Sequence, residues 1–89
     1  MTEQIVFKNF SPPYHLLRAI DLTLDWLQLG FPDDASVTAE IHRLGLIYRC
    51  GIRIASDSTS FKEDSVGSSP LKALDATVAR AKSKWRKLL

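Results

Sequence analysis

The residues able to do nucleophilic or acid–base chemistry are few, and their settings are unpromising. Cys50 with His15 or His42 is the nucleophile–base pair the chain could assemble. Cys50, however, shares an alternating phase with Leu46, Tyr48, Ile52 and Ile54. On such an apolar phase a cysteine behaves as a small hydrophobe. His42 falls on the polar phase of its strand beside Arg43, the place of a surface contact. His15 falls in the first turn of a helix with no evident acid to orient it. Asp33-Asp34 and Glu63-Asp64 are adjacent carboxylates, but such pairs in a turn and on an edge strand are usually solvated. The chain has no glycine-rich phosphate loop, nucleophile elbow or metal-ligand spacing. One cysteine makes neither an internal disulfide nor a zinc cluster, and it fits a reducing compartment. The expectation is a binding protein and not an enzyme, with no catalytic residue, metal, cofactor or small-molecule substrate.

Cations offer a different chemistry. The net charge of +2 conceals an asymmetry: residues 1–68 carry −3 and residues 69–89 carry +5. From Arg80 to Leu89 there are five basic residues and no acid. Lys72, Arg80, Lys84, Arg86 and Lys87 are therefore candidate contacts to a polyanion, with Arg49, Arg53 and Arg18 as further candidates. Lys and Arg at this density neutralise several phosphates, giving salt-dependent binding with little sequence preference. A solvated helix whose cations favour its C-terminal dipole has the same composition.

A third feature is apolar. Leu22, Trp26 and Leu29 recur at i, i+4, i+7, roughly opposite Leu17, Ile20 and Leu24. A helix apolar on two sides has a second surface to cover. Either Trp26 and Leu29 tuck against the Phe31-Pro32 turn, the reading the sequence favours, or the three form a contact to a protein partner or a homodimer.

The elements that position these residues follow from periodicity. Ile5-Val6-Phe7 reads as a strand ending near Asn9. Ser11-Pro12 reads as a helix start, with Leu16, Leu17, Ile20, Leu24 and Leu27 on one face and Gly30 and Pro32 as the stop. Pro32-Asp33-Asp34 reads as a turn. Val37, Ala39 and Ile41 alternate with polar residues, Leu44-Gly45 is a tight connection, and the run from Leu46 to Ala55 has one apolar and one cationic face. Phe61–Val66 reads as a polar edge strand after a loop at residues 57–60. Ser69-Pro70 opens a second helix with Leu71, Leu74, Val78, Ala81, Trp85 and Leu88 as its stripe. Lys72, Ala76, Arg80, Ser83 and Lys87 lie opposite. The expected fold is α+β, a β-α-β-β-β-α two-layer sandwich with both helices on one face of a mainly antiparallel sheet. Residues 1–89 are expected to form a single domain. No run approaches a membrane span. Met1-Thr2-Glu3-Gln4 lacks the basic start of a secretory signal, so the expected location is cytoplasmic.

Over the fourth strand and second helix the chain resembles the ribosome hibernation promoting factors, or ribosome-associated inhibitors. In that family a strand ending in Glu-Gly precedes a helix opening with Tyr-Ala-Ala-Ile-Asp and continuing with spaced basic residues. Here Gly67 and Ala73-Leu74-Asp75 fall in that register, and Arg80 and Lys87 fall at basic positions. The motif covers about the last 30 residues and the element order covers the chain. The resemblance implies a short-form protein without the C-terminal dimerisation domain of the long form. It implies binding to small-subunit rRNA in the channel used by mRNA and tRNA, and inhibition of translation in idle cells. Two departures stand out. Ser83 replaces a frequent basic residue, and the first helix offers Arg18 alone with Asp21 and Asp25, where the family usually contributes cations. A double-stranded-RNA-binding domain has a similar outline but opens its last helix with a lysine cluster that residues 68–72 lack. The alternative of another class is a protein-interaction module built on Leu22, Trp26 and Leu29, without nucleic-acid binding.

Overall fold

Period-two alternation builds the centre of the molecule. In the computed structural model, which describes residues 2–31, 34–57 and 60–88, Val37, Ala39 and Ile41 are buried and alternate with exposed Ser36, Thr38 and Glu40. Cys50, Ile52 and Ile54 repeat the pattern on the neighbouring strand. The elements are β1 (Thr2–Lys8), α1 (Tyr14–Gln28), β2 (Ser36–Leu44), β3 (Ile47–Ala55), β4 (Ser60–Gly67) and α2 (Pro70–Leu88). The sheet order is β1-β2-β3-β4. β1 runs parallel to β2, while β2–β3 and β3–β4 are antiparallel. The α+β class, the element order and the mainly antiparallel sheet are those expected from the sequence.

One core lies between the sheet and the helices. Ile20, Leu24 and Leu27 of α1 and Ala73, Leu74 and Ala81 of α2 join the inward residues of β2 and β3 in a single cluster. Both helices therefore cover the same sheet face, and the other face stays open. Aromatic rings close the two ends. Phe31 packs edge-on against Trp85 at 4.9 Å between centroids, with Phe61 beside both. Phe10 packs edge-on between Phe7 and Tyr48 at the opposite end of the strands. Edge-to-face pairs of this kind are worth about 0.5–1.5 kcal/mol beyond their buried area.

Several local expectations need correction. Ser11 does not cap α1: the cap residue is Pro13, in extended conformation, and the amides of Leu16 and Leu17 both donate to its carbonyl at 3.0 Å. The residue before a proline is pushed away from helical dihedrals, so Pro13 disfavours a helical Pro12 and delays the start. Leu46 is not on the strand. With Gly45 it forms the two-residue hairpin turn, and it is 92% exposed. Gly45 takes φ +68° and Leu46 does not, the pattern of a turn with glycine at its first central position. β4 is less polar than expected, because Phe61 enters the core. Ser69, by contrast, caps α2 as read from sequence: its hydroxyl accepts the Lys72 amide at 3.2 Å. Pro32 and Asp33 of the expected turn, Ser58 and Thr59 of the expected loop, and the Leu88 side chain lie outside the described residues.

Candidate nucleic-acid interface

The placement of the basic residues depends on how α2 is docked. Gly67, at the end of β4, lets the helix approach closely. A Cβ at Gly67 would stand 2.6 Å from the Ala73 nitrogen and 3.1 Å from its Cα. Ala73 itself is fully buried. Four residues on, the Thr77 hydroxyl lies 2.7 Å from the Ala73 carbonyl and 3.2 Å from the Cys50 carbonyl of β3. With Leu74 and Ala81 also buried, the helix has one rotational setting on the sheet.

That setting turns Lys72, Ala76, Arg80, Ser83, Arg86 and Lys87 to solvent. Arg80, Ser83, Lys84 and Lys87 line one shallow concavity along β4 together with Glu63. Lys84 is half-buried: its ammonium lies 5.6 Å from the Phe61 ring centroid. Arg80 also lines a second concavity, with Arg49, Asp64, Ser65, Val66 and Ala76. The two concavities meet at Arg80 and carry the cationic surface over the β4 edge towards the open face of the sheet.

Arg49 is not a free cation. Its Nη2 lies 2.7 Å from Asp64 Oδ2. The hydrogen bond and the attraction of that carboxylate raise the guanidinium pKa, and they hold the Asp64 carboxyl below its ordinary range. The ion pair is largely exposed, so its worth to stability is small. The Asp64 pairing departs from the simply solvated carboxylates expected at Glu63-Asp64.

The remaining candidates scatter. Arg53 sits opposite Lys62 on the open sheet face, in a polar hollow of 360 Å³ floored by Gly51. Arg18 is on α1, where its Nη1 donates to the Tyr14 hydroxyl at 3.4 Å. Lys72 and Arg86 are exposed on α2 but line neither concavity. The structure thus brings Arg80, Lys84 and Lys87 together, sets Arg49 next to them, places Arg53 in the hollow that Arg49 also lines, and leaves Arg18 apart. Sequence reasoning missed Glu63 as the acid inside the cationic concavity. The available signal was its strand phase, which it shares with Phe61.

Of the candidate nucleophile and bases, Cys50 has a packing role and His15 is exposed on α1. Cys50 is fully buried, and burial pushes its thiol up to about 11, so it carries almost no thiolate near neutral pH. The Asn9 amide donates to His42 Nε2 at 2.9 Å, and among the described residues no acid is hydrogen-bonded to the ring. No group of three or more His, Cys, Asp or Glu among the described residues is arranged to hold a metal ion. No helix among them is long and apolar enough to cross a membrane.

The apolar strip on α1 is not covered by the turn that follows it. Leu22, Trp26 and Leu29 are 60%, 71% and 81% exposed. The favoured tucking of Trp26 and Leu29 against Phe31 fails because Phe31 turns inward to Trp85 and Phe61. Lys82, which sequence reasoning did not single out, lies over the Trp26 ring at 5.0 Å.

Comparison by sequence finds no family model and no curated protein that matches the chain. Comparison by structure does. A ribosomal subunit interface protein from Coxiella burnetii superposes with a TM-score of 0.83 at 13% identity, over 99% of this chain and 97% of that one. The N-terminal domain of Protein Y from Thermus thermophilus superposes with a TM-score of 0.81 at 12% identity, over 97% and 96%. At such identities the likeness is one of architecture, and the chain has the fold of the Coxiella ribosomal subunit interface protein and of the Thermus Protein Y domain.

Proposed function

We propose that the protein is a ribosome-associated factor that binds small-subunit rRNA and thereby inhibits translation in idle cells. The observation that carries this reading is the grouping of Arg80, Lys84 and Lys87 along β4, continued over the strand edge by Arg49. Among the described residues the ion pairs are Lys8–Glu40 and Arg49–Asp64, so α2 keeps its charges for a partner. The whole-length likeness to a ribosomal subunit interface protein supports the same partner. A shallow, convergent cationic surface suits a phosphate backbone, whose contacts give affinity without base selection. This role needs no reaction centre and no cofactor, and it implies a cytoplasmic protein. Arg18 stands outside the proposed contact, Arg53 lies beyond Arg49 in the hollow of the open sheet face, and Lys72 and Arg86 flank the contact.

The test is co-sedimentation with purified small ribosomal subunits. Neutralisation suits it better than charge reversal, because reversal would set three new carboxylates beside Glu63. The parent is expected to pellet with subunits and the Arg80→Gln, Lys84→Gln, Lys87→Gln variant to stay in the supernatant at the same salt, with an unchanged melting temperature. A folded variant that pellets like the parent, or a parent that does not pellet, contradicts the proposal. A second reading, a protein-interaction module, is favoured by the exposure of Leu22, Trp26 and Leu29.

A further inference from the structure

The outward face of the helical layer has a composition that the RNA surface does not use. At 3.6 residues per turn, the exposed residues of α1 fall in successive rows. Asp21 and Asp25 form one flank, Leu22 and Leu29 the crest, and Trp26 the flank towards α2. The last assignment is fixed by the groove that Leu22, Thr23 and Trp26 share with Val78 and Lys82 of α2. Across this face the order is therefore acid, apolar strip, indole, ammonium. Lys82 lies over the Trp26 ring but pairs with no carboxylate, and Asp21 and Asp25 pair with no cation, among the described residues. Arg18 continues the crest towards Tyr14.

We infer that this face is a self-complementary surface on which a second copy of the chain docks. A twofold axis lying in the contact plane along the Leu22–Leu29 strip brings each leucine against its counterpart. The same operation exchanges the two flanks, so Asp21 and Asp25 of each copy meet Lys82 of the other. An interface of this kind repeats every contact off the axis twice, so the Asp–Lys pairing occurs on both flanks. It covers the Trp26 ring, whose exposed area a monomer leaves in water. The molecule measures 36 × 22 × 16 Å, and its broad helical face has room for the ~800 Å² per partner of a standard interface. A polyanion is a poor occupant, because Asp21 and Asp25 would face its phosphates. The concavities holding Arg80, Lys84 and Lys87 lie on the β4 side of α2, away from α1, and stay open in the dimer.

The experiment is sedimentation equilibrium on the full chain at concentrations up to ~1 mM. The parent is expected to approach twice the chain mass as concentration rises. The Trp26→Ser, Leu29→Ser variant is expected to remain at the monomer mass, with the melting temperature of the dilute parent. Asp25→Lys and Lys82→Asp each weaken self-association. An equimolar mixture of those two variants restores it, because their heterodimer pairs opposite charges at both sites. A parent that stays monomeric throughout overturns the inference. So does a dimer that persists in the Trp26→Ser, Leu29→Ser variant, or a mixture that associates no better than its components.

Discussion

Three side-chain positions set how the molecule holds together. Gly67 is the most constrained, because any Cβ there meets the backbone at Ala73. Gly67→Ala should therefore push α2 off β4 and cost at least the ~1–3 kcal/mol usual for overpacking; a melting temperature equal to the parent's would show that the contact is soft. Gly67 and Ala73, two of the residues that carry the family resemblance, touch each other. Their register thus records helix–sheet packing, while the proposed RNA contact rests on other residues. Trp85 seals one end of the core, and Trp85→Ala should cost about 3 kcal/mol, towards the lower end for a large aromatic because the ring is only partly buried. Urea titration measures it, and an unchanged midpoint would refute the packing of that end. Cys50 gives a pH signature. Its folded pKa of about 11 lies above its ordinary 9.0, so the native state holds the proton more tightly than the unfolded chain. That contribution to stability is complete below pH 9 and fades as pH rises from 9 to 11. Cys50→Ala should remove this component of the alkaline decline, and a thiol reagent at pH 8 should label the native parent far more slowly than the urea-unfolded chain.

At the scale of elements, the two helices are legible in the sequence to different degrees. On α2, buried Leu74 and Ala81 and exposed Lys72, Arg80 and Lys87 follow from 3-4 spacing, and Ser69 from its cap signature. Fully buried Ala73 and Thr77 lie outside the expected stripe, so the helix sits rotated from the setting that spacing alone suggests. The start of α1 misleads because Ser11-Pro12 carries the local signature of a cap, while the second proline decides the backbone there. The placement of Trp26 and Leu29 misleads for a different reason. Periodicity shows that α1 has a second apolar side, but Phe31 decides what covers it, and its choice of Trp85 over Trp26 is tertiary. Glu63 and Lys84 escape similarly. Each depends on how β4 meets α2, and neither strand nor helix period alone contains that junction. The junction also makes a prediction. Glu63→Gln removes the acid from the cationic concavity, so it should tighten RNA binding and steepen its salt dependence; unchanged or weaker binding would mean that the concavity is not the contact.

At the scale of the whole molecule, the sheet, both helices and the single core make a plate with three distinct surfaces. One is the open sheet face with its mixed charges around Gly51. Another is the cationic ridge where α2 overhangs β4. The third is the helical face with its apolar strip. The fold class and topology are readable because alternation and helical spacing each bury one face of an element, and a two-layer sandwich is the simplest structure to satisfy all of them. The partner is less readable, since cations on a helix are produced equally by solvation and by function. The central claim is that Arg80, Lys84 and Lys87 neutralise rRNA phosphates. It is tested most directly by the affinity for small ribosomal subunits as a function of salt, measured for the parent and for the variant with these three residues changed to Gln. The account predicts affinity that falls steeply with salt in the parent. It predicts a logarithmic slope shallower by about one unit for each phosphate that no longer meets a cation, hence about two to three units in the variant. Equal slopes for the two proteins, or binding by the parent that is indifferent to salt, would contradict it.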